Sequence, residues 1–334
     1  MLNNIQILRA FAALNVVLVH VIDTSASYGR PVWLLSPLTG WGQSGVDIFF
    51  VISGFVMVYA QAMQPKSART FIANRILRIV PLYYLFTLCM LLIFLVAPFL
   101  VREMRPSFAQ TVGSFLMVTS TVLDQKPLVA VGWTLEYEML FYGLFALGLL
   151  LKNSLMSFAF VILAILLMTM SGAVDAVVIE FALGMLCAKA YLSNRERPYG
   201  LAFLVAGLLL LAGSMLIHLT LHRSITWGIP ALLIVFGSLY VRPSNNKFLL
   251  YLGAASYSIY LAQVFSIAAF YKFSSMVLAF VPADLLVVIA MCFTTAIGCL
   301  TYELVEKPLT RALGKGRRSD ERPQTSQMTT AHSD

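Results

Sequence analysis

The first apolar segment, IQILRAFAALNVVLVHV, carries two ionisable side chains, Arg9 and His20. Eleven residues advance a helix by about three turns, roughly 16 Å, so the two side chains share a face at different depths. An ionisable group inside a membrane span is costly and marks function by default. After a short loop, GVDIFFVISGF places Asp47 early in the next apolar segment, and VGWTLEYEMLFY places Glu136 and Glu138 early in a later one. If the first segment runs outward and the other two run inward, His20, Asp47 and Glu138 come to a similar level. An imidazole beside a carboxylate suits general-base chemistry near neutral pH, because the carboxylate orients the ring and stabilises its cation. The same three residues also suit a hydrogen-bonded cluster that joins helices.

A second group is basic. In KSARTFIANRILRIVPLYY, Arg75 and Arg78 are three apart and share a helical face, whereas Lys66 and Arg69 point elsewhere or lie in the loop before. Paired guanidinium groups suit phosphate and pyrophosphate oxygens; arginines at this position also anchor a helix to lipid headgroups. Gly45, Ser53 and Gly54 permit close helix approach, and Gly54 reads as ordinary packing. Glu180 is a further buried carboxylate, able to line a cavity or pair with Arg9. In AASYSIYLAQ, Ser256, Tyr257, Ser258, Tyr260 and Gln263 can line a sugar path or bond neighbouring helices. For Glu303, Glu306, Lys307 and Arg311 the default is surface ion pairing.

Composition says what must position these groups. Of 334 residues, 60% are hydrophobic and 11% charged, and the mean hydropathy is +0.85, outside the soluble globular range. The pattern predicts an all-α, polytopic membrane helical bundle of about ten spans, near 6–23, 43–63, 79–100, 131–151, 155–172, 174–192, 200–217, 225–241, 249–271 and 282–304. With the N-terminus cytoplasmic, sixteen of the 23 Lys and Arg residues fall inside and six outside, Arg9 lying within a span. This bias favours an even number of spans with both termini in the cytoplasm. Counting 108–123 as a span would invert it, so that segment reads as an outer-surface or partly inserted helix. The chain divides into a membrane domain, 1–312, and a polar, basic tail, 313–334, expected to be disordered.

The net charge of +8 follows from this asymmetry and from the tail, and indicates no nucleic acid partner. The four cysteines lack metal or redox spacing, so no metal is expected. No cleavable signal peptide is apparent, and the first helix is expected to stay in the mature protein. Transporter folds built from inverted repeats would show internal symmetry, and none is convincing here.

Taken together, the residues resemble acyltransferase family 3 of integral membrane proteins, in its ExoZ-like, exopolysaccharide-modifying branch. The likeness runs from about residue 3 to 312. It rests on Arg9 and His20 with ten residues between them, GVDIFFVISGF, Arg75 and Arg78 followed by Pro81, and WTLEYEMLFY, with support from AASYSIYLAQ and YELVEKPL. The resemblance implies transfer of an acyl group, usually acetyl from acetyl-CoA, to a hydroxyl of a cell-envelope glycan or lipid-linked sugar in a bacterial inner membrane, with polysaccharide-assembly proteins as possible partners. By that analogy His20 is the catalytic histidine with Arg9 its companion, Asp47 and Glu138 are acidic partners, and Arg75 and Arg78 contact the donor. Trp133, Glu136, Tyr142, Ser256 and Tyr260 are the expected substrate-binding side chains. The family often carries a histidine where this chain has Gln263, so no second proton-transfer role is expected there. The alternatives are a polysaccharide or small-molecule transporter or flippase, and a non-catalytic scaffold.

Overall fold

The computed structural model describes residues 2–100, 106–151, 153–194, 199–216, 221–278 and 280–320, and among these the regular structure is helical throughout. Ten helices overlap the ten apolar segments, although the third begins eleven residues earlier than expected and the eighth is only ten residues long. They are α1 (Asn3–Ser27), α2 (Ser44–Met63), α3 (Ala68–Val96), α4 (Trp133–Gly148), α5 (Ser154–Met170), α6 (Ile179–Ser193), α7 (Gly200–Leu216), α8 (Ile229–Ser238), α9 (Lys247–Val277) and α10 (Ala283–Thr301). Six stretches are long and apolar enough to cross a bilayer, namely α1, α3, Leu38–Met63, Ala176–Ser193, Lys247–Ser274 and Ala283–Leu313. Ser154–Met170, Gly200–Ser214 and Ser224–Ser238 are apolar but shorter. α4 has 16 residues and carries two glutamates near its start.

Polar side chains set the helix ends. Ser67 accepts from the Thr70 amide at the start of α3, and Asn246 accepts from Phe248 and Leu249 at the start of α9. The doubtful segment, 108–123, is two short helices, Phe108–Leu116 and Thr119–Val122, separated by Met117 in the left-handed region at φ 57°. Neither is long enough to span hydrocarbon. The helix Lys307–Asp320 overlaps the start of the segment expected to be disordered, and the rest of that segment, 321–334, lies outside the described residues.

The Asn3 amide donates to Ser244 O and Asn245 Oδ1, and the Asn4 amide to Ser238 O and Val241 O. The start of α1 is thereby tied to the turn between α8 and α9, so α1 and α9 run in the same direction. The chain comes back after α10 to the same end, where Glu306 lies within electrostatic reach of Arg9 and Arg78.

α2 packs closely against α6. At its crossing with α6, Gly54 and Gly184 interlock. A β-carbon on Gly54 would sit 2.0 Å from Phe181 O, and one on Gly184 would sit 2.1 Å from Val51 O. Small residues let backbones approach this closely, and in lipid such packing carries most of the helix association. Gly54 is thus a packing residue, as the sequence suggested. Gly54→Ala should therefore force α2 away from α6 and destabilise the fold by about 1–3 kcal/mol. A lowered Tm in detergent checks this, and an unchanged Tm would mean the crossing has slack.

Candidate active site

Between α1, α2, α3, α4 and α9 lies a cavity of about 120 Å³. Its polar lining is Arg9, Ser53, Arg75, Arg78, Thr134, Glu138, Tyr142, Ser256, Tyr257 and Tyr260, and apolar side chains such as Val46, Phe49, Phe50 and Met57 complete the wall. The spacing of Arg75 and Arg78 sends both into this one space, as their shared helical face predicted. The side chains bond one another: Ser53 Oγ donates to Glu138 Oε1 at 3.0 Å, and the Tyr142 hydroxyl donates to the same carboxylate. Tyr257 OH donates to Ile79 O at 2.7 Å, and Ser256 Oγ is buried without a partner. Arg9 Nη1 reaches Gln6 Oε1 at 3.4 Å and feels the charges of Arg78, Glu138 and Glu306. Three guanidinium groups against one lining carboxylate leave the chamber with an excess of positive charge.

The roof of the chamber is at the end toward which α1 runs. There Tyr260 and Thr134 share a hydrogen bond of 2.7 Å, Tyr260 OH reaches Val131 O at 2.9 Å, and Phe49 packs edge-on to the Tyr260 ring. His20 lies beyond that roof. It does not line the cavity and is half-buried, one turn past Val16 on α1. The charged groups that act on its ring are Asp23, three residues along the same helix, and Lys126 from the segment before α4.

Neither Asp47 nor Glu138 is among them, which corrects the expected cluster. Asp47 is fully buried on α2 and accepts from Arg223, Oδ1 from Nε at 3.2 Å and Oδ2 from Nη2 at 2.9 Å. Arg223 also rests over Trp227 and donates to Gln43 O. Glu180 stands beside Asp47 and Arg223 rather than Arg9, with Gly228 leaving room for its carboxyl group. The sequence placed His20, Asp47 and Glu138 at one level, but Glu138 lies beneath the roof beside Ser53 while His20 lies beyond it, and the direction of each side chain around its helix axis was not assigned. Asp47 turns toward α6 and Arg223, and Glu138 turns into the chamber.

Two of the residues expected to contact substrate lie outside the chamber. Glu136 is 1% exposed, and its oxygens accept from the backbone amides of Thr119 and Ser120, so it caps the short helix Thr119–Val122. Trp133 packs against Phe50 and Tyr137 and does not line the cavity. Tyr142, Ser256 and Tyr260 do line it. Sequence reasoning missed Arg223, which it only counted among the six cations outside, and Asp23, whose spacing of three from His20 was a visible signal. It also treated Glu306 as a surface charge, whereas Glu306 accepts from Ser258 Oγ at 2.6 Å at the chamber's edge. Glu303 and Lys307 do form the expected i,i+4 ion pair, at 2.7 Å.

The acyltransferase domain family matches residues 2–303. The chain is 31% identical to the exopolysaccharide production protein ExoZ of Rhizobium meliloti (strain 1021) over 301 residues, covering 83% of this chain and 92% of that protein. No solved structure matches the chain. A bundle with several apolar helices long enough to cross a membrane, around a chamber fed by three arginines, is thus the frame of a chain that belongs to acyltransferase family 3, with ExoZ among its relatives.

Proposed function

We propose that this membrane acyltransferase moves an acyl group, acetyl in the first instance, from acyl-CoA to a hydroxyl of an exopolysaccharide precursor or related cell-envelope glycan. The observation that carries the donor assignment is the excess of positive charge in the chamber, where Arg9, Arg75 and Arg78 face a single carboxylate, Glu138, on the lining. An acyl-CoA brings phosphates to match the guanidinium forks and an apolar arm to match Val46, Phe49 and Met57. The acceptor class is taken from the likeness to ExoZ, an exopolysaccharide production protein. On this reading all ten helices span an inner membrane, and the end that holds Asn3 and Lys307 faces the cytoplasm.

The chemical step uses the two ends of α1. Arg9 holds the donor from below while the thioester passes the Tyr260–Thr134 contact. His20, with Asp23 its nearest acidic charge, takes the proton of the acceptor hydroxyl as that oxygen attacks the thioester carbonyl carbon. The new C–O bond forms, the C–S bond breaks, and CoA leaves as the thiol after gaining a proton. The roof that now separates His20 from the chamber must open for this to occur, so Tyr260 is placed to control passage. Lipid-linked sugars and polysaccharide-assembly proteins are the partners this step implies.

The test is transfer of labelled acetyl from acetyl-CoA to glycan in vesicles holding the purified protein. A transporter or flippase would move glycan and leave it unlabelled. Arg75→Ala together with Arg78→Ala should weaken CoA binding by about a hundredfold, two charge-assisted contacts being lost. Equal affinity in a binding titration would return the pair to lipid anchoring.

A further inference from the structure

The arginine chamber has a neighbour. A second cavity, about 320 Å³, lies between the start of α1, the end of α2 and the start of α3, at the end of the bundle that holds Leu2 and Lys66. It shares Val56, Met57 and Arg75 with the chamber, so the two spaces adjoin at the Arg75 guanidinium. That guanidinium lies over both the Phe71 and Tyr142 rings, 5.7 Å from each centroid, and its Nε is buried with no acceptor. A buried charged donor without an acceptor is expensive, and an anion at the junction would satisfy it.

A second cation stands at the rim. Lys66 lines the outer cavity, is exposed, and forms no ion pair among the described residues. Its backbone is held in place by Gln61, whose amide donates to Lys66 O at 2.9 Å and accepts from Lys66 N at 3.2 Å. The loop is therefore fixed while the ammonium group stays free to reach a ligand. Between Lys66 and Arg75, α3 advances by about 10 Å, so the two charges mark separate anionic positions rather than one. Between them the wall is apolar and aromatic, with Leu2, Tyr59, Met63 and Phe71.

We propose that this outer cavity is the nucleotide subsite of the acyl donor. The base and ribose pack against Tyr59, Met63 and Leu2, Lys66 takes the phosphate on the ribose, and Arg75 takes the diphosphate at the junction. The pantetheine arm then runs on into the Arg9 chamber. Coenzyme A carries phosphate at two separated places on either side of its ribose, which is the pattern these two cations present. The assignment rests on the acyl-CoA reading given above and adds which residues tell coenzyme A from shorter donors.

The full chain in detergent is titrated with CoA, with CoA lacking the ribose 3′-phosphate, and with 4′-phosphopantetheine. The native protein should prefer CoA over the dephosphorylated form by about tenfold. Lys66→Ala should erase that preference and leave affinity for the dephosphorylated form as it was. Ala60→Trp, which fills the outer cavity from its wall, should weaken both coenzymes about tenfold or more and spare phosphopantetheine, with Ala60→Ser as the folded control. Equal affinity of the native protein for the two coenzymes, or a preference that survives Lys66→Ala, overturns the subsite. So would displacement by phosphatidylglycerol vesicles with no dependence on the ribose phosphate, which would make the cavity a lipid headgroup site. If the subsite falls while labelled acetyl is still transferred, the acyltransferase reading stands without it. If the native protein binds no form of CoA, that reading itself falls.

Discussion

His20→Ala should lower acyl transfer by about 10²–10⁴-fold, the usual worth of a positioned base, while leaving donor affinity unchanged. The two halves of this expectation have separate causes. His20 lies beyond the Tyr260–Thr134 roof and touches none of the chamber that would hold CoA, so removing its ring should not disturb binding. It is also half-buried at the end of α1 with no hydrogen bond to a neighbouring helix among the described residues, so its loss should leave Tm near that of the native protein. Initial rates of labelled acetyl transfer, set beside a CoA titration of the same preparation, separate the outcomes. Native turnover by His20→Ala would remove the histidine from the mechanism. Loss of CoA binding together with turnover would mean that the chamber extends to the histidine in a state more open than this one.

Breaking the Asp47–Arg223 pair should be the most destabilising single change in the bundle. The Asp47 carboxylate is fully buried, the Arg223 side chain is 26% exposed, and the contact is bidentate. Deleting one partner of a buried pair leaves the other uncompensated and costs about 3–5 kcal/mol. Arg223→Ala does more than orphan Asp47, because it also leaves Glu180 beside that carboxylate without the one guanidinium they share. Arg223→Ala should therefore lower Tm sharply and reduce the yield of folded protein in membranes. Arg223→Lys keeps the charge but loses the fork, so it should recover part of the loss. A Tm for Arg223→Ala equal to the native value would show that the pair holds nothing together. Neither residue lines the chamber, so the folded fraction of Arg223→Lys should still bind CoA.

Much of this protein is legible without coordinates because the relevant physics is local. Long, mostly apolar runs become helices, since lipid offers the backbone no other partner, and each of the ten runs read from composition overlaps one of α1 to α10. The spacing of three between Arg75 and Arg78 sends both side chains to one face whatever lies opposite, and both line the chamber. The break in 108–123 also shows in its short, polar sequence. Gly54 reads as a packing residue from its type alone, although only the crossing with Gly184 says which helix it meets.

What the sequence could not decide is which charge meets which. Depth along a span follows from counting residues, but rotation about the helix axis and the choice of neighbour depend on packing among all ten helices. Asp47 and Arg223 are 176 positions apart, and nothing local links them. Glu136 and Glu138 lie two apart on α4, so they point some 200° from each other; one caps a loop helix and the other faces Arg9. For the same reason His20 and Arg9, alike in sequence pattern, end on opposite sides of a roof made by residues from α4 and α9. The amino-acid sequence determined the helices, and the tertiary structure alone determined which polar groups meet, because contacts between helices are set by the lateral fit of whole surfaces and not by any short stretch of chain.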